Sequence, residues 1–339
     1  MADFLITEGD FFMIEIIKPA LQTLVQDLGR EGFRHLGIGG SGAMDTLALR
    51  LANKLVGNPD GAAALELTLP PAVLRFQCDA FFALTGVDCV AKLDEISLRC
   101  GWRYHARAGQ TLSLNRPHDA QMGMRSYLAV AGGLLVPKVM GSRSTAMQGG
   151  FGGHEGRLLV TGDCLPIKES QRPATKKGVF RPDKNRGIHL PELTSDNLTH
   201  IRVTQGSEYE QFSADAQNLL TSQTWRISPQ SNRMGYRLTG AELTRTVAAN
   251  LAGDLRSHGV WAGVIQVPPS GQPIVLMADA GTTGGYPKMA VVITADLWKL
   301  GQVRFGADLR FSLVNHQEAR LAWQKQADYL HKVSLGMKT

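Results

Sequence analysis

Between Gly259 and Pro287 the chain reads GVWAGVIQVPPSGQPIVLMADAGTTGGYP, two short apolar runs that bracket a Pro/Gly turn and end in a glycine loop. Val264 to Val267 and Pro273 to Met277 are rich in Val, Ile and Leu and are separated by PPSGQ, which is hairpin chemistry. The second run delivers Asp279 to a stretch, Thr282, Thr283, Gly284, Gly285, Tyr286 and Pro287, that has no hydrophobic period. A carboxylate at a strand end, beside glycines whose amides can approach a ligand, suits a charged or polar small molecule.

The same punctuation recurs along the chain. Short apolar or alternating runs at Leu65 to Leu69, Val73 to Phe76, Phe81 to Leu84, Leu112 to Leu114 and Tyr127 to Val130 are separated by Gly, Pro and Asp, so the first half is strand-rich. One helix is expected there: Ser41 or Asp45 caps a run in which Leu47, Leu51 and Leu55 share a face, and Gly57, Asn58 and Pro59 stop it. A second half opens near Thr199, carries a helix around Ser213 to Leu220, returns to short strands up to Val314 and closes with helical period from Gln317 to Leu330. Strands this short, without regularly alternating long helices, imply a mainly β fold of two domains with covering helices, closed as barrels rather than open as sheets.

A length of 339 residues supports two cores, since a single core stops growing at about 250–300 residues. The expected division is an extension at residues 1–12, a β domain at 13–167 opening on MIEIIKPALQTLVQDLGR, a basic linker at 168–198, a second β domain at 199–330 and a tail at 331–339. No apolar run approaches the roughly 20 residues of a membrane span. The first residues carry acids where a secretory signal carries Lys or Arg, and the four cysteines are too scattered for a metal knuckle or a disulfide scaffold, so a cytoplasmic, reduced protein is expected. The net charge of +6 does not point to nucleic acid, because much of the excess sits in the unpatterned stretch KESQRPATKKGVFRPDKNR.

P-loop, GxSxG and HExxH motifs are all missing from the sequence. Four polar, glycine-marked segments remain. In QDLGREGFRHLGIGGSGAMD, Arg30 can clamp an anion with help from the amides near Ser41; equally, Asp45 can be a helix cap and the glycines turns. The second segment holds Arg143, Ser144 and Thr145 before a run of glycines, with His154 and Glu155, a pair that reads more readily as surface than as acid and base. In SPQSNRMGYRL, Ser231, Asn232, Arg233 and Arg237 suit a planar carboxylate or amide, or an arginine bridging strands. The fourth is the opening segment extended back to Ser257 and His258, with Gln266, Asp279, Thr283 and Tyr286. These are clamps, donors and carboxylates without an activated Ser or Cys, which fits polarising a carbonyl or holding phosphate better than acyl-enzyme chemistry.

VQDLGREGFRHLGIGGSGAMD, LALRLANKLVGNPDGAAALELTL, YLAVAGG with VMGSRST, QSNRMGYRL, and SHGVWAGVIQVPPSGQPIVLMADAGTTGGYPKMA stand in the order of the blocks of the KipA family, and the chain resembles that family over about residues 13–315. The family is also called allophanate hydrolase subunit 2 or the biotin-dependent carboxyltransferase family. The resemblance implies two cyclophilin-like β-barrel domains in tandem. It implies one subunit, inactive alone, of an ATP-dependent 5-oxoprolinase that converts 5-oxo-L-proline, ATP and water to L-glutamate, ADP and phosphate. Its expected partners are a KipI-like subunit and a LamB/YcsF-like subunit, with no nucleic acid and no membrane, and its cofactor is ATP with Mg²⁺ at the level of the complex. Under that reading Asp279 positions metal or water, Arg233 and Arg237 bind anion, His258 joins the catalytic set, and the amides of Thr282, Thr283, Gly284 and Gly285 hold phosphate or an oxyanion. Two alternatives stay open: the carboxyltransferase component of a urea carboxylase, with biotin carried by another chain because no AMKM-type site is present, and a KipA-type antagonist of a kinase inhibitor.

Overall fold

The computed structural model describes residues 12–117, 123–168, 198–251, 253 and 255–338. The expected extension, apart from Phe12, and the expected linker, apart from its two end residues, lie outside the described residues.

In the first half the described strands form two sheets. One runs in the order Cys164–Pro166, Met13–Lys18, Ala72–Phe76, Thr111–Leu114, Ala91–Leu93, Ile96–Leu98. The other runs Gln22–Gln26, Ala64–Thr68, Arg125–Val130, Ala80–Gly86, Trp102–Ala106. Their facing sides share one core, in which Ile14, Ile16, Leu74 and Phe76 meet Leu65, Leu67, Leu128 and Val130. The opposite side of the second sheet is covered by helix α1 (Thr46–Leu55), whose Ala48, Ala52 and Leu55 pack on Ala64, Ala83, Tyr127 and Ala129. Both faces of that sheet are therefore buried, and Ala64–Thr68 and Arg125–Val130 are buried at every position instead of alternating.

Barrel closure is found in the second half, where seven strands close in the order Thr199–Gln205, Lys288–Val292, Val264–Gln266, Ile274–Leu276, Gly235–Thr239, Trp225–Ile227, Asp308–Leu313. The hairpin read from PPSGQ is present: Gln266 pairs with Ile274 and Ile265 with Val275, antiparallel. Helix α2 (Ala214–Ser222) starts at Ser213, whose hydroxyl accepts from the Ala216 amide; the short α3 (Val247–Leu251) and α4 (Leu297–Gln302) follow. The C-terminal helix α5 (His316–Lys338) continues through the expected tail, and no helix among the described residues is long and apolar enough to cross a membrane.

The halves interlock. Met44, from the turn before α1, packs into the core of the barrel, while Trp298 of α4 and Leu330 of α5 pack on Leu47 and Leu51 of α1. The loop that carries Met44 also builds the cleft between the halves.

Candidate functional site

Arg233 lies at the junction of the halves, 5% exposed. Its Nε donates to Asp279 Oδ2 at 2.8 Å and its Nη2 to Asp279 Oδ1 at 3.2 Å, a bidentate pair. Nη2 also donates to the Gly42 carbonyl at 2.6 Å, and Nη1 to Glu66 Oε1. The other oxygen of Glu66 accepts from the Met44 amide at 2.8 Å and the Tyr127 hydroxyl at 2.7 Å. Two buried carboxylates around one guanidinium raise its already high pKa against the opposing desolvation, so the cation is permanent.

The sequence expectation joins Arg233 and Asp279 in one site, and the structure brings them together. It does not leave them open. Both Asp279 oxygens are taken by Arg233, and among the described residues no three His, Cys, Asp or Glu side chains converge, so these residues do not fit a Mg²⁺ centre. What the trio of Arg233, Asp279 and Glu66 does is pin the Gly42–Met44 turn to the barrel.

Asp45 is the cap of α1: Oδ1 accepts from Ala48 N at 2.8 Å and Oδ2 from Gln302 Nε2 at 2.7 Å. Complete burial pushes its carboxyl up to about 6. Ser41 has φ 53°, left-handed for a residue with a Cβ. The turn is this tight because Gly42 and Gly29, at φ 97° and 93°, lie back to back; a Cβ on Gly42 would be 2.9 Å from the Gly29 nitrogen.

Ser41 and Gly40 line a cavity of about 280 Å³ between the halves, with Arg34 and Thr46 from the first half and Trp261 and Ala280 from the second. Asp279 lies between two residues that line it, Ala278 and Ala280. The amides of Gly40 and Ser41 donate to no protein acceptor among the described residues. Arg34 belongs to the polar cluster of the first glycine-marked segment, whereas nothing in the sequence marks Thr46 and Trp261 as site residues, because each becomes part of the cleft only when the halves meet.

The other expected residues fall elsewhere. Arg30 is buried behind the turn, donating Nη2 to the Ser144 carbonyl at 2.6 Å and lying 4.9 Å over the Phe151 ring, with Nε and Nη1 unpartnered. Arg143 donates its amide to Asp27 and its Nε to the Val136 carbonyl, fastening its own loop. Ser231 and Asn232 close the turn before Gly235–Thr239, through Ser231 Oγ to the Arg237 amide and Asn232 Oδ1 to the Met234 amide, while the Arg237 side chain is exposed. His258–Gly259 pairs with Thr283–Gly284 as a two-stranded ribbon.

That ribbon surrounds a buried lysine which sequence reading missed. Lys288 Nζ lies 3.2 Å from the Gly284 carbonyl, 3.1 Å from that of Tyr286 and 3.3 Å from His258 Nδ1, and His258 Nε2 is 3.6 Å from Glu208. Two carbonyls of the glycine loop thus turn inward to a cation. Gln266 lies beside Gly284 with its Oε1 buried and unpartnered. Among the described residues no hydrogen bond or ion pair joins His258 to Arg233 or Asp279, so the expected site resolves into two clusters, the cleft and the ribbon.

Similarity to known proteins runs over nearly the whole chain. The family model described as carboxyltransferase domain, subdomain A and B, matches residues 36–313. The chain is 47% identical over 322 residues to the C-type subunit of 5-oxoprolinase from Escherichia coli (strain K12), covering 95% of this chain and 98% of that protein. It is 40% identical over 321 residues to the corresponding 5-oxoprolinase subunit from Haemophilus influenzae, covering 95% and 97%. Among solved structures, K. lactis urea amidolyase matches 97% of this chain with a TM-score of 0.85 at 28% identity, and the match spans 20% of that larger chain.

Proposed function

The chain belongs to the carboxyltransferase-domain family, subdomains A and B, and from that premise we propose that it is the C-type subunit of an ATP-dependent 5-oxoprolinase. The observation that carries this reading is the near end-to-end identity with the C-type 5-oxoprolinase subunit of Escherichia coli, 47% over 95% of this chain and 98% of that protein. In this reading the chain is a hydrolase subunit that works with a KipI-like and a LamB/YcsF-like subunit, and ATP with Mg²⁺ is used by the complex. The two halves are tandem cyclophilin-like units divided between about residues 167 and 199, the first splayed into two sheets.

The cleft is the reaction site. A lactam is a poor electrophile, and attack on it requires negative charge on its oxygen to be drawn off and stabilised. Gly40 and Ser41 offer amides for a developing oxyanion, and Arg233, through the Gly42 carbonyl, holds those amides in place. Asp279 and Arg233 act in this reading as positioning residues, and Lys288 with His258 fixes the neighbouring ribbon.

Mixing the three subunits with 5-oxo-L-proline and ATP is expected to release glutamate and ADP in equal amounts, with none from this chain alone. A correctly assembled complex that makes no glutamate removes the reading. The fold match to K. lactis urea amidolyase favours one second reading, a carboxyltransferase acting on a urea-like substrate with biotin carried by another chain. It predicts binding of free biotin and indifference to 5-oxoproline.

A further inference from the structure

We propose that Arg34 is the specificity-determining residue of the cleft, a carboxylate anchor that selects a cyclic amide bearing an acid group over the same ring without one. This rests on the reading of the cleft as the 5-oxoprolinase site.

The arginines near the junction differ in how their charge is answered. Arg233 is held by Asp279 and Glu66. Arg125 donates to the Tyr236 hydroxyl and the Gly301 carbonyl and lies 3.7 Å from Glu66. Arg30 is closed off from solvent under Phe151. Arg34 alone among these four lines the cavity, and it forms no ion pair among the described residues. Among the described residues its side chain makes one hydrogen bond, across the junction from Nη2 to the Val260 carbonyl, and the rest of the guanidinium fork has no partner there. Partial burial with no carboxylate beside it lowers its pKa, so the site gains from any anion that enters.

The neighbours of Arg34 fit the rest of such a ligand. Trp261 follows Val260 directly, lines the cavity and is 53% exposed, an aromatic side chain open to a small flat ring. Gly40 and Ser41 line the cavity with amides that have no protein acceptor among the described residues, which suits a carbonyl oxygen, and the left-handed Ser41, at a cost on the order of 1 kcal/mol, is part of the turn that presents them. An acid group on Arg34, a ring on Trp261 and an oxygen on the turn amides describe a lactam carboxylate. A planar bidentate partner is the natural ligand of a guanidinium fork, which a lysine only partly replaces.

The test uses the assembled complex of all three subunits and steady-state kinetics for the wild type, Arg34→Gln and Arg34→Lys, with 5-oxo-L-proline as substrate and 2-pyrrolidinone as competing ligand. Arg34→Gln is expected to raise KM for 5-oxo-L-proline roughly 10- to 100-fold while kcat changes by less than about threefold, with Arg34→Lys in between. Inhibition by 2-pyrrolidinone, which has no carboxylate, is expected to stay within about twofold of wild type, and so is KM for ATP. An unchanged KM for 5-oxo-L-proline overturns the assignment. So does an equal loss of 2-pyrrolidinone binding, which would mean a collapsed cleft, or a raised KM for ATP, which would make nucleotide phosphate the anion. If the wild-type complex itself makes no glutamate, the parent reading falls and Arg34 falls with it; if it does and Arg34→Gln is silent, only Arg34 falls.

Discussion

Glu66 and Asp279 are carboxylates that would be costly to bury alone, and each survives because Arg233 is buried with them. Arg125, 3.7 Å from Glu66, brings the cluster to two cations and two carboxylates, so removing one member leaves an uncompensated charge. Asp279→Ala is expected to cost about 3–5 kcal/mol in urea unfolding, and a loss under about 1 kcal/mol would show that Glu66 alone can neutralise Arg233. Asp45 works differently, since it answers no cation. Its carboxyl is pushed up to about 6 in the fold against about 3.9 in the unfolded chain, so the native state binds the proton more tightly. Its contribution is therefore fully present below about pH 4 and is lost as the pH rises through 6, on the order of 3 kcal/mol in all. Asp45→Asn keeps an oxygen for the Ala48 amide and removes the titration. The stability of wild type minus that of Asp45→Asn, from unfolding at pH 4, 5, 6 and 7, is expected to fall over that window; a flat difference would place the Asp45 pKa at its ordinary value. Asp45 was legible in the sequence because a cap acts on a residue three positions away. Glu66 was not, although a glutamate within the apolar run ALELTL signals a buried partner, because that partner lies 167 residues along the chain.

At the scale of elements, α4 and α1 meet end on. A Cβ built on Gly301 would lie within 3.0 Å of the Met44 carbonyl oxygen and close to the Asp45 nitrogen, both backbone atoms that cannot swing aside. Alanine in place of glycine within a helix normally stabilises by up to about 1 kcal/mol. Here the sign reverses: Gly301→Ala is expected to destabilise by about 1–3 kcal/mol in thermal unfolding, because α4 must move off the cap of α1. Stabilisation would mean that the two helices are not in contact in solution. Elements whose start and stop signals lie within a few residues were readable, among them α1 with Asp45, α2 with Ser213 and the PPSGQ hairpin. Partner choice was not. Several strands are only three residues long, as are Ala91–Leu93 and Ile96–Leu98, too few for alternation to say which sheet receives them. The two-sheet first half was hidden for a related reason: strands buried on both faces lose the period that marks an open sheet.

Across the whole molecule, the polar contacts between the halves concentrate on a few side chains. Gln302, from α4, accepts from the amides of Met124 and Arg125 and donates to Asp45 and the Arg125 carbonyl, so one neutral side chain makes four bonds into the first half. Arg125 answers through Tyr236, Arg233 through Glu66 and Gly42, and Met44 fills the barrel core. A cleft formed on such a junction is shaped by both halves at once, which is why Ser41 could be read from its own glycine-marked segment but Thr46 and Trp261 could not. The physical consequence is cooperative unfolding, because the second half loses Met44 and the Gln302 partners as soon as the first half opens. Wild-type protein is expected to melt in a single calorimetric transition. The double variant Met44→Ala, Gln302→Ala removes a core side chain, at about 2–5 kcal/mol, and strands the amides of Met124 and Arg125, at about 1–3 kcal/mol each, so its melting is expected to split in two. Two transitions in the wild type, or one undivided transition in the double variant, would show that the halves are joined by something other than this junction, and the cleft would then have to be sought on one half alone.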